Sequence, residues 1–106
     1  MDAKVQKILW ELRERLSAHY GGRLAQLVLY GSQARGDAEE GSDIDVLVVV
    51  KGSVHAPREI DETVGIVAGI SLANEAVLSC AFVSAEDFER KSNPFLRNVR
   101  QEGIAL

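Results

Sequence analysis

The chain has 106 residues, room for one hydrophobic core and not two. Its 46% hydrophobic and 26% charged content are ordinary for a soluble globular domain. The net charge of −4 argues against an extended, basic nucleic-acid surface, and no apolar run reaches membrane length.

Met1-Asp2-Ala3-Lys4 leads straight into a polar–apolar pattern with no signal-peptide core, so a cytoplasmic location is expected. Val5, Ile8, Leu9, Leu12 and Leu16 recur at helical spacing and predict an amphipathic helix over about residues 3 to 19. Gly21-Gly22 ends it. Leu24 to Tyr30 reads as a first, buried strand. A Gly-Ser turn and a short helical segment follow, then a polar, acidic loop from Asp37 to Gly41. Ile44 to Val50 is apolar on both faces and marks a central strand covered on two sides.

After a loop from Lys51 to Ala56, a second long helix is expected from Pro57, with Ile60, Val64, Val67 and Ser71 or Leu72 at helical spacing. Gly65 and Gly69 each weaken it by about 1 kcal/mol relative to Ala, and the reading given to them is close helix–sheet packing. Ala76 to Val83 is a third strand. Its Cys80 reads as a small core residue, and a lone cysteine that cannot form an internal disulfide agrees with a reducing cytoplasm. Ser84 caps a short helix that runs to about Lys91. Asn93-Pro94 breaks it before a last helical piece from Phe95 to Glu102. The expected fold class is α/β (α+β), a small mixed sheet flanked by helices in one domain spanning 1–106.

The chemistry concentrates in residues 31–45. Gly31-Ser32 follows the first strand, and Asp43-Ile44-Asp45 opens the second. Carboxylates two residues apart on a strand share one side, which makes an oxygen-lined site suited to Mg²⁺. A Gly-Ser turn offers backbone N–H groups and a hydroxyl able to hold phosphate. The two strands, joined by a short connection, are expected antiparallel, which sets Ser32 beside Asp43 and Asp45. A right-handed parallel crossover joins the second and third strands. Arg35 has two readings, a phosphate contact or a surface pair with Asp37 or Glu39. Ser42 reads as a local turn residue. His19 and His55 lie far apart and read as surface residues. Tyr30 is expected to pack at the end of the first strand.

Gly31-Ser32, ten residues, then Asp43-x-Asp45 resembles the motif of the polymerase-β-like nucleotidyltransferase superfamily. Arg35-Gly36 and the order of elements resemble its minimal members, often paired with HEPN proteins as toxin–antitoxin systems. The resemblance implies that Asp43 and Asp45 bind divalent ions, Mg²⁺ foremost, and that Gly31, Ser32 and Arg35 hold the triphosphate of ATP. It implies AMP transfer to a hydroxyl on a partner macromolecule, a HEPN-type toxin fitting that role. The family normally adds a third carboxylate from the third strand. Here that strand holds no acid, and Glu75 at its start is the nearest candidate for the catalytic third ligand. That departure keeps a second reading open: an antitoxin or binding module of this fold acting by stoichiometric contact. The sequence leaves open the acceptor, the base and the oligomeric state, a homo-oligomer included.

Overall fold

The computed structural model describes residues 1–106. Helix α1 spans Ala3–Tyr20 and is capped by Asp2, whose carboxylate accepts from the Lys4 N–H at 2.7 Å. Strand β1 spans Leu24–Tyr30, the short helix α2 Gly31–Arg35 and strand β2 Ile44–Val50. Helix α3 spans Ala56–Ala73, strand β3 Leu78–Ser84, helix α4 Ala85–Arg90 and helix α5 Pro94–Glu102. A two-residue strand β4, Ile104–Ala105, closes the chain. No helix is long and apolar enough to cross a membrane.

The sheet has the order β3-β2-β1-β4. β1 runs antiparallel to β2 and to β4, whereas β2 and β3 are parallel. A helix-containing connection is what a parallel pair needs, and α3 supplies it. Each face of the sheet has its own apolar cluster. Leu29, Val46 and Val48 meet Ile8, Leu12 and Leu16 of α1 on one face. Val28, Leu47 and Val49 meet Leu96 and Val99 of α5 on the other. Alternation along β2 therefore feeds both clusters, which explains its continuous apolar run.

The face that α3 buries differs in part from the expected one: Val67 and Ser71 are half-buried, with Val67 packed on the core, but the other expected positions are not. Ile60, Val64 and Leu72 are 51%, 56% and 80% exposed, while Glu59, Thr63 and Ile70 are buried. The reason is a polar anchor. The Tyr20 hydroxyl donates to Glu59 Oε1 at 3.0 Å, and the His55 N–H donates to its Oε2 at 3.4 Å. A buried carboxylate is tolerated when such donors satisfy it, so Glu59 turns inward and Ile60 and Val64 beside it turn out. Gly65 and Gly69 are also corrected: a Cβ on either would meet nothing within 4 Å, so no close packing requires them. The Ser84 cap holds, with its hydroxyl accepting from the Asp87 N–H at 3.1 Å.

Candidate active site

The site is built by one strand register. Tyr30 ends β1 and stands opposite Asp45, the second residue of β2. Immediately after Tyr30 the chain turns at Gly31, with φ +73°, and enters α2. A Cβ on Gly31 would stand 2.5 Å from Asp45 Oδ2. Only glycine permits both that backbone angle and that approach. The carbonyl of Ser32 accepts from the N–H groups of Gly36 and Asp37 at 3.0 and 3.2 Å, which closes the turn. Gly36 leaves α2 in the left-handed region.

Asp45 is the one residue of β2 that is not fully buried. Its carboxyl is pushed above the usual range by burial first and by the Asp43 charge second, against a lowering by Arg35. Asp45 on β2 and Asp43 just before it are hard oxygen donors whose charges interact, a donor set that fits a divalent cation. No third His, Cys, Asp or Glu joins them in a cluster able to hold an ion.

Arg35 takes both of its neighbours. Its Nε donates to Asp37 Oδ2 at 3.2 Å, and its Nη1 donates to Glu102 Oε2 at 3.3 Å. Asp37 foremost, then Glu102, raise its pKa further. The Gly31 N–H donates to the same Glu102 carboxylate, at 3.1 Å. Glu102 was not among the residues expected at the site. It lies 71 positions from Gly31, and nothing local in the sequence connects the two.

Glu75 does not join the two aspartates in a cluster able to hold an ion. It sits in the turn between α3 and β3 with φ 50°, exposed. It lines a cleft of about 890 Å³ that it shares with Ser42, Ile44 and the start of α1; Asp43 and Asp45 do not line this cleft. In the position where β3 passes Asp45, the register partner is Ser79. The third strand therefore offers a hydroxyl, not a carboxylate, beside the pair.

The remaining residues settle as local structure. Ser42 Oγ accepts from the Glu39 N–H at 2.9 Å, a turn contact. Tyr30 packs edge-on against Phe95 at 5.4 Å between ring centres. His19 lies 3.6 Å from Glu62, and His55 precedes α3. Burial pushes the Cys80 thiol up to about 12, which suits a core residue and not a nucleophile.

A family model described as a nucleotidyltransferase domain matches residues 9–104. The candidate protein adenylyltransferase MJ0604 of Methanocaldococcus jannaschii is 36% identical over 102 residues, 95% of this chain and 96% of that protein. A second from the same organism, MJ0141, is 32% identical over 72% of this chain and 76% of its own length. Among solved structures, a toxin–antitoxin with AMP-PNP superposes with a TM-score of 0.62 at 16% identity, covering 89% of this chain and 68% of that one. A nucleotidyltransferase-like protein of Sulfolobus solfataricus gives 0.58 at 23% identity, covering 93% and 76%. At such identities these structures speak for the fold, the polymerase-β-like one. With a family model and a near full-length relative in agreement, the chain belongs to the nucleotidyltransferase domain family, as a minimal enzyme of the nucleotidyltransferase class.

Proposed function

We propose that this enzyme transfers AMP from ATP to a hydroxyl on a partner protein, a HEPN-type toxin being the partner that fits. The observation that supports the proposal is the approach of Gly31 to Asp45, which brings the turn proposed to cradle the phosphates against one of the two aspartates proposed to hold the cation. The Gly31 N–H, the Ser32 hydroxyl and the Arg35 guanidinium hold the β- and γ-phosphates. Asp43 and Asp45 hold a divalent cation, Mg²⁺ in the proposal. When bound, that ion supplies positive charge against the triphosphate. The acceptor hydroxyl oxygen bonds to the α-phosphorus as its proton passes to solvent water, the bond from that phosphorus to the oxygen bridging it to the β-phosphate breaks, and pyrophosphate leaves. The adenylyltransferase relatives and the toxin–antitoxin fold neighbours support the reading.

Incubating the purified protein and its partner with labelled ATP and Mg²⁺ tests it. Label on the partner that depends on Asp43 and Asp45 is the expected result. A partner neutralised without label would overturn the catalytic reading. The lack of an acid on β3 favours that second reading, a fold of this family acting by contact alone.

A further inference from the structure

We propose that Glu102 occupies the seat of a substrate phosphate and gates the cradle. The inference rests on the reading of Gly31, Ser32 and Arg35 as the triphosphate site. One carboxylate engages two of those three groups: Oε1 accepts from the Gly31 N–H at 3.1 Å, and the Arg35 guanidinium donates to both oxygens at 3.3 and 3.5 Å. Carboxylate and phosphate oxygens accept from the same donors. A bound triphosphate and Glu102 would be competing anions, so the two occupancies exclude one another.

The way Glu102 is held suits a displaceable group. It ends α5, whose Leu96 and Val99 are anchored in the core. Beyond it the chain is fixed by the Gly103 N–H donating to the Val99 carbonyl at 2.7 Å, by Gly103 packed on Val28, by the two-residue pairing of β4 with Val28 and Leu29, and by Leu106, whose N–H donates to Leu27 at 2.9 Å and whose half-buried side chain packs on the core. Ile104 and Ala105 are both exposed. So short a ladder opens at little cost. When the triphosphate takes the cradle, the last turn of α5 swings away with Glu102 and β4 leaves the β1 edge. The nucleotide-bound enzyme then presents a free β1 edge that the empty enzyme covers.

A closed cradle lowers apparent affinity by the fraction of time it is open. The test is titration of wild type, Glu102→Gln and Glu102→Ala with AMP-PNP and with inorganic triphosphate, each with Mg²⁺, alongside hydrogen exchange at the Leu106 amide. Both variants are expected to bind about tenfold more tightly than wild type, the scale of one charge-assisted contact. Saturating wild type is expected to speed Leu106 exchange. Equal or weaker binding by both variants would show that Glu102 merely positions Arg35, and would overturn the gate while leaving the cradle. Unchanged Leu106 exchange at saturation overturns it too. Failure of all three proteins to bind either ligand would remove the cradle itself, and the gate with it.

Discussion

Tyr30 stands opposite Asp45 in the β1–β2 ladder, and this single pairing determines which backbone atoms face the carboxylate. The next residue is Gly31, at φ +73°, with Asp45 Oδ2 2.5 Å from where its Cβ would be. Gly31→Val is therefore expected to push Asp45 aside and strain the turn. Nucleotide binding falls by at least about tenfold, and stability falls by roughly 1–2 kcal/mol from the backbone angle alone. Titration with AMP-PNP and a thermal melt check both. Wild-type affinity in the variant would make the turn purely structural.

The carboxylate pair has the opposite signature. Asp43→Asn with Asp45→Asn removes the charges that attract a divalent ion, so Mg²⁺-dependent nucleotide binding is expected to vanish. The fold is expected to gain or hold stability, since burial and Asp43 already raise the Asp45 carboxyl. Calorimetry together with a melting curve separates the two effects. A large drop in melting temperature would reassign the pair to structure.

Glu75 shares its cleft with Ser42 and Ile44 and not with the aspartates. Glu75→Gln is accordingly expected to change partner labelling by no more than a few fold. A loss of about 10²-fold or more, the scale of general-base assistance, would bring Glu75 to the acceptor hydroxyl. Rates of label transfer for both proteins decide this.

At the opposite end of the sheet, Glu59 ties α1 to α3 through Tyr20. Burial raises its carboxyl pKa, but the Tyr20 hydroxyl, the His55 N–H and the Arg58 guanidinium together outweigh that and lower it below 4.5. A lowered folded value means that the stability is present above pH 4.5 and is lost as pH falls through the folded value. Glu59→Gln is expected to cost about 1–3 kcal/mol at neutral pH and to flatten this acid limb. Denaturant melts between neutral and acid pH would show it. An unchanged acid limb would move the pH dependence to other carboxylates.

Much of the site was legible because its information is local. Gly31-Ser32 and Asp43-x-Asp45 each sit within a few residues, and the two-sided apolar run of β2 names the central strand. The short link between β1 and β2 favours the antiparallel pairing that brings them together. The face of α3 was not legible in the same way. Its apolar residues do recur at helical spacing, yet a buried Glu59 wins the inner face because Tyr20, 39 positions away, satisfies it. No periodicity encodes that partner. Strand β4 is two residues long, too short for any alternation to register. Glu102 reads as the polar end of a helix until the sheet carries Gly31 and Arg35 to it. The sequence by itself determined the longer elements, the Gly31-Ser32 turn and the placing of Asp43 and Asp45 at the head of β2, since bonded neighbours set backbone angles and side-chain direction. Only the tertiary structure decided which charges meet, because a hydrogen bond between distant residues depends on the packing of everything between them.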